Sequence, residues 1–160
     1  MNIRIQNVCK DDAEFLYRIM NDQSILDALD EIPSRLEDWV DAISAWSDDP
    51  DEEDYMIFDE KTPVGWVGIN GLCSENQTAY IKMIGLLPQY QNKGIGSSVI
   101  NQVLDILKSR GYAAVALYTN QNNHRAQKCY MKCGFRVIEE CIEEMANGNL
   151  AKRYKMAMVF

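Results

Sequence analysis

The hydrophobic period of the chain changes near residue 55, and this change restricts the folds open to it. Before it, Leu36, Trp39, Val40 and Ile43 recur at helical spacing. Asp11 with Glu14, and Ser34 with Glu37, form capping-box patterns ahead of helical runs, the first running through Met20. A short helical piece over residues 25–29 ends before Pro33, residues 3–7 alternate as a strand, and the acidic run 47–54 reads as a loop. After the change, residues 55–58, 64–72 and 79–87 read as strands. The turn chemistry of Glu60-Lys61-Thr62-Pro63 and Ser74-Glu75-Asn76-Gln77 joins them as an antiparallel run. Residues 95–110 form an amphipathic helix closed by Gly111, and residues 114–118 a short buried-type strand, so this crossover makes a parallel pair. A helix over 125–133 ends at Gly134, and strands over 135–143 and 150–159 flank the turn dipeptide Asn147-Gly148. The pattern predicts one α/β (α+β) domain over residues 1–160, a mixed sheet flanked by helices.

Composition narrows the function classes. A chain of 160 residues that is 47% hydrophobic can bury a sizeable core, which excludes a disordered segment. Acidic residues outnumber basic ones 24 to 16, a net charge of −8, which argues against nucleic acid or an anionic membrane as partner. The charge is split: residues 1–60 hold 18 acidic and 4 basic side chains, and residues 61–160 hold 6 and 12, so −14 and +6 sum to −8. An acidic half joined to a basic half suggests two different ligands. No apolar run approaches the ~18 residues of a membrane span, and residues 1–6 do not read as a signal peptide. Five cysteines, Cys9, Cys73, Cys129, Cys133 and Cys141, lack a disulfide framework, which predicts a reducing cytoplasm. With one histidine and no CxxC, Cys129 and Cys133 read as small apolar fillers, and no metal site is expected.

The stretch Pro88-Gln89-Tyr90-Gln91-Asn92-Lys93-Gly94-Ile95-Gly96-Ser97 lies between a strand and the long helix. Glycines there let a ligand approach the backbone, and the first-turn N–H groups of the helix suit a phosphate. Lys93 adds positive charge. A Walker loop requires Gly-Lys-Ser/Thr, which is missing, and a dinucleotide fingerprint fails because Val99 occupies the third glycine position.

Gln91-x-x-Gly94-x-Gly96, preceded by a strand and Pro88, resembles the acetyl-CoA loop of the GNAT N-acetyltransferase superfamily. The segment Asn123-His124-Arg125-Ala126-Gln127-Lys128-Cys129-Tyr130-Met131-Lys132-Cys133-Gly134-Phe135 is similar to that family's N-x-x-A-x-x-x-Y-x-K-x-G-F segment at matching spacing. Asn21-Asp22, Glu37-Asp38-Trp39 and the Asn147-Gly148 hairpin more loosely resemble its ribosomal-protein and polyamine acetyltransferase branch. The resemblance implies a GNAT-like fold: a largely antiparallel twisted sheet of six or seven strands, with a parallel splayed pair at the cofactor site.

It also implies roles. Acetyl-CoA would be the co-substrate, its pantetheine running beside the backbone of Ile84, Gly85 and Leu86. Its pyrophosphate would lie on the amides from Gln91 to Ser97, chiefly Asn92, Lys93, Gly94, Ile95 and Gly96, with Arg125 and Lys128 nearby. Asn123 matches the asparagine that touches the cofactor, and Tyr130 the tyrosine near the thioester sulfur, suited to protonating the leaving thiolate. An alkyl ammonium with a pKa of ~10 must lose a proton before it attacks, so the site needs a base. The glutamate that some N-terminal acetyltransferases carry five residues before the motif asparagine is Tyr118 here. Asp30 and Glu31 resemble the acidic patch of polyamine acetylators, and Glu75 lies in a strand connection; Glu31 ranks first.

The leading expectation is direct transfer of an acetyl group from acetyl-CoA to a primary amine, with a small cationic amine as acceptor. The alternatives are acetylation of a protein N-terminus or lysine, and a regulatory CoA-binding module without catalysis. An NAD(P) enzyme ranks last because of Val99. The final strand, over residues 150–160, is a candidate for pairing across a homodimer.

Overall fold

A computed structural model describes residues 1–160. Seven strands form one sheet in the order β1-β2-β3-β4-β5-β7-β6: β1 (Ile3–Asn7), β2 (Glu53–Asp59), β3 (Thr62–Asn70), β4 (Thr78–Leu86), β5 (Ala114–Asn120), β6 (Arg136–Glu144) and β7 (Leu150–Val159). Every neighbouring pair is antiparallel except β4 and β5. Helices α1 (Ala13–Ile19), α2 (Gln23–Leu29) and α3 (Leu36–Asp48) precede β2, while α4 (Ile95–Ser109) and α5 (His124–Lys132) flank β5 in sequence. The mixed sheet with one parallel pair is the architecture that the period change predicts.

One layer of the core lies between the sheet and α4, where Ile100, Val103 and Leu107 meet Ile57, Val67, Val115 and Phe135, all buried. The second lies under α1 and α3, where Phe15, Leu16, Ile19 and Ile43 meet Met56 and Trp66. The side chain of Gln102 fixes α4 to the first strand by donating to the Ile3 carbonyl at 3.0 Å. Gly111 and Gly134, both at positive φ, end α4 and α5 as the glycine positions predict.

The parallel pair is short. It holds only Thr78 opposite Ala114, Ala79 opposite Val115 and Tyr80 opposite Ala116. Beyond Tyr80 the two strands diverge, so the β5-facing edge of β4 from Ile81 to Leu86 is free of sheet pairing. Lys82 is an extra residue in β4, since Ile81 pairs with Ile69 and Met83 with Gly68. The divergence and the bulge open the sheet where the site is built.

Four local expectations move. The first capping interaction forms at Cys9, whose N–H donates to Asp12 Oδ2 at 2.8 Å, and a 3-10 turn then leads into α1. The second forms at Arg35, whose N–H donates to Asp38 Oδ2 at 2.9 Å. Ser34 is occupied elsewhere: its N–H donates to Asn21 Oδ1 at 2.9 Å and its hydroxyl accepts from Trp39 Nε1 at 2.8 Å. The acidic loop is shorter than expected, because α3 runs to Asp48 and β2 begins at Glu53. Within it the Asp51 carboxylate accepts from the N–H groups of Gly71 and Cys73, which ends β3 at Asn70. The last strand, β7, lies between β5 and β6, so β6 and not β7 is the sheet edge.

Candidate functional site

The loop from Pro88 to Gly94 turns β4 into α4 through a 3-10 turn at Pro88–Tyr90 and two left-handed residues, Asn92 at φ 61° and Gly94 at φ 80°. The first bond of the helix runs from the Ser98 N–H to the Gly94 carbonyl at 3.2 Å. The amides of Ile95, Gly96 and Ser97 precede it and are left for a ligand. A Cβ on Gly96 would stand 3.4 Å from Cys129 Sγ, so glycine lets α5 pack close against the start of α4. Cys129 Sγ also lies 3.4 Å from Ser97 Oγ, which places this thiol in a packing role between the helices.

A cleft of about 490 Å3 runs from this loop along the free edge of β4. Of the residues the sequence singles out, Ile84, Gly85, Leu86, Gln91, Asn92, Gly94, Gly96, Ser97, Asn123 and Tyr130 line it. Ile95 instead points into the core, 1% exposed, while Lys93 Nζ lies 6.0 Å from the Tyr90 ring and stays outside the cleft wall. Gln91 joins the strand to α5: its side chain donates to the Leu86 carbonyl at 3.0 Å and accepts from Arg125 Nη2 at 2.9 Å. The Asn123 side chain caps α5 by accepting from the Ala126 N–H at 3.2 Å. Free strand edge, glycine turn, unpaired helix amides and Arg125 form a donor set that fits a phosphorylated, amide-bearing chain such as pantetheine pyrophosphate.

A second cavity of about 250 Å3 opens on the other side of Tyr130. The two share Ala28, Leu29, Ile84, Asn123 and Tyr130. Tyr130 therefore stands at the junction with a half-buried ring. Burial pushes its hydroxyl well above the usual tyrosine range, and no protein hydrogen bond holds it. Glu31 lines the second cavity with Tyr118, Asn120, Glu143, Glu144, Lys82 and Arg153. Burial raises the Glu31 carboxyl above its ordinary value. Asp30 lines neither cavity, and Glu75 lies exposed on the β3–β4 turn, away from both.

The charges of this cavity sort by pairing. Arg153 Nη1 lies 2.7 Å from Glu143 Oε2, and Lys82 Nζ lies 2.9 Å from Glu52 Oε2. Glu31 and Glu144 are left without an ion pair. Tyr118 stacks on Tyr80 at 6.3 Å with 10° between the rings, and Arg153 and Lys155 lie against the pair.

Several lining residues carry no motif signal. Ser24, Ile25, Ala28 and Leu29 come from α2, which the sequence marks only as a short helical piece. Glu143 and Glu144 come from the end of β6 and reach the cavity because the β6–β7 hairpin turns back toward α2.

The chain spans between one fifth and about three fifths of the curated relatives it matches. It is 31% identical over 75 residues to N-alpha-acetyltransferase 30 of Schizosaccharomyces pombe, a segment that covers 47% of this chain and 50% of that protein. It is 25% identical over 140 residues to an uncharacterized N-acetyltransferase of Methanocaldococcus jannaschii, covering 84% of this chain and 61% of that protein. Its fold matches the crystal structure of spermidine N-acetyltransferase from Vibrio cholerae in complex with CoA and spermine, with a TM-score of 0.89 and 21% identity, covering 98% of this chain and 95% of that one. An acetyltransferase from Thermus thermophilus superposes with a TM-score of 0.79 at 19% identity, covering 97% of this chain and 96% of that one. No helix is long and apolar enough to cross a membrane. The sequence model of the acetyltransferase (GNAT) family matches residues 13–135, and with the splayed β4–β5 pair and the glycine turn in place the chain belongs to that family.

Proposed function

We propose that the chain transfers an acetyl group from acetyl-CoA to a primary amine of a small polycationic acceptor. The observation that carries this reading is the junction at Tyr130. It joins a cleft that suits a phosphorylated pantetheine chain to a cavity whose unpaired side-chain charges, Glu31 and Glu144, are both negative. The spermidine acetyltransferase of Vibrio cholerae, with the same fold, supports a polyamine as the first acceptor to test.

Acetyl-CoA supplies an activated acyl group when bound; the residues of this chain supply the rest. The free edge of β4 at Ile84, Gly85 and Leu86 offers backbone groups that hold an extended amide chain as a strand holds its neighbour. An N–H of that edge near Leu86 is the donor available to a developing oxyanion. Tyr130 keeps its proton at neutral pH because burial disfavours the phenolate, and so presents an acid at the junction. Glu31 attracts the acceptor ammonium and receives its proton, directly or through water.

The test is a thiol-release assay of the purified protein with acetyl-CoA against spermidine, spermine, an aminoglycoside, an arylamine and an N-terminal peptide. Release with the polyamines is expected. Release with the peptide alone would favour the N-terminal acetyltransferase reading, which the similarity to N-alpha-acetyltransferase 30 supports. Stabilisation by CoA without release from any amine would make the chain a binding module.

A further inference from the structure

Asp30 and Glu31 are neighbours in sequence and do different things. Asp30 ends α2 in the left-handed region at φ 53°, a conformation that few residues other than glycine adopt, with asparagine and aspartate the commonest. The turn sends Glu31 to the second cavity and the Asp30 carboxylate away from it. That carboxylate accepts three amides: Asn120 Nδ2 at 2.9 Å, Asn147 Nδ2 at 3.1 Å and Asn149 Nδ2 at 3.1 Å. Its own carbonyl accepts the Asn147 N–H at 3.2 Å. Burial works against the charge, but the three amides and Arg153 outweigh it and hold the carboxyl below the usual aspartate range. Asn120 carries the connection on, its Oδ1 accepting from Arg153 Nε at 3.1 Å, and Arg153 in turn pairs with Glu143.

The three elements tied together at Asp30 each supply a wall of the second cavity, whose remaining wall is β4, from Ile81 to Ile84, with Tyr130 of α5. Ala28, Leu29 and Glu31 come from α2 and its end, Tyr118 and Asn120 from β5, and Glu143 to Ala146 from the β6–β7 hairpin. The end of β5 and the hairpin tip lie 90 to 119 residues from Asp30 in sequence. Glu144, Asn147, Gly148 and Asn149 are exposed, and the bonds of the turn itself, Met145 N–H to the Asn149 carbonyl, Gly148 N–H to the Met145 carbonyl and Asn149 N–H to Asn147 Oδ1, all stay within the tip.

We propose that Asp30 is the positioning residue of the acceptor site: its carboxylate clamps the β6–β7 hairpin tip and the end of β5 to α2, and so sets Glu31 and Glu144 on facing walls of the cavity. Asp30, Asn147 and Asn149 lie outside the larger cleft, so the clamp bears first on the acceptor cavity. The effect on acetylation rests on the function proposed above, whereas the effect on the hairpin does not.

The test compares the wild type with Asp30→Ala and with Asn149→Ala, which removes one arm of the clamp from an exposed turn. Steady-state kinetics with spermidine should show KM for the amine raised about tenfold in Asp30→Ala and a few-fold in Asn149→Ala, with KM for acetyl-CoA within about twofold of wild type. Amide hydrogen exchange should quicken in residues 145–149 and at the end of α2 in both variants, while β5 and α4 keep their protection. Equal losses for amine and acetyl-CoA, or unchanged exchange at 145–149, would overturn the proposal. Exchange needs no turnover, so an inert wild type would count against the acetyltransferase reading while the hairpin measurement still decides the clamp.

Discussion

Lys82 Nζ lies 3.7 Å from Asp54 Oδ1, yet neither oxygen of this buried carboxylate makes a hydrogen bond. Gly68, across from Asp54 in the neighbouring strand, leaves the room it needs: a Cβ there would stand 2.5 Å from Asp54 Oδ1. Burial first, and then the neighbouring Glu52, push the Asp54 carboxyl from 3.8 up to about 8, against the pull of Lys82. Between those two values the folded chain binds a proton that the unfolded chain does not. Its contribution to stability is therefore full below the lower value and is lost as pH rises through the upper one. Asp54→Asn, which keeps the shape without the charge, should melt close to wild type at pH 5 and above it at pH 9, by on the order of 5 °C. A melting difference that does not change between pH 5 and pH 9 would show that Asp54 stays ionised in the fold.

Tyr130 and Ile84 both line the two cavities, so a group passing between the cavities passes the Tyr130 side chain. Replacing Tyr130 with Phe removes that hydroxyl and leaves the ring packed against Phe135, 6.2 Å away. For a general acid the expected loss in kcat is about 100-fold. CoA affinity, read by calorimetry, should stay within about threefold, since the phosphate-facing groups lie elsewhere. A turnover equal to wild type would remove Tyr130 from the acid role.

Gly94 and Gly96 separate two reasons for glycine. Gly94 is left-handed, and a Cβ there meets nothing within 4 Å, so Gly94→Ala should cost about 1 kcal/mol of backbone strain and little else. Gly96 is helical, with Cys129 Sγ 3.4 Å from where a Cβ would stand, and it also lines the cleft. Gly96→Val puts its methyl groups between α4 and α5 at the proposed phosphate end. It should weaken CoA binding by about 100-fold or more, while the melting temperature without ligand falls by only a few degrees. If Gly96→Val binds CoA as the wild type does, the loop is not the phosphate site.

The strand and helix sequence was legible because the apolar period changes from helical to alternating, and glycines mark where α4 and α5 stop. One side of the larger cleft was legible from the two motifs, since its residues from Ile84 to Tyr130 lie close together in sequence, whereas the side that α2 supplies with Ser24, Ile25, Ala28 and Leu29 was not. Nor was the second cavity. Its walls come from α2, β4, β5, α5 and the β6–β7 hairpin, and no local pattern records that Asp30 meets Asn147 and Asn149. Neighbouring carboxylates at Asp30 and Glu31 look alike in sequence, and only the left-handed turn at Asp30 separates a clamp from a cavity wall. The charge split was informative but incomplete. Glu143 and Glu144 come from the basic half, and Glu52 and Asp54 of the acidic half lie on Lys82, so the two halves interleave at the site.

That interleaving leaves Glu31 as the carboxylate most exposed to the choice of acceptor. It lines the second cavity without an ion-pair partner, whereas Glu143 is already paired with Arg153. Glu31→Gln keeps the volume and removes the charge. Its effect should be confined to the amine: KM for spermidine should rise about tenfold, and KM for acetyl-CoA should not change. The wild-type KM for spermidine should also rise with salt as the attraction is screened, and that slope should flatten in the variant. A proton-accepting role makes a second demand, because burial has already raised the Glu31 carboxyl. The acidic limb of the kcat profile should then vanish in Glu31→Gln. If KM rises and that limb remains, Glu31 binds the ammonium and another group takes its proton.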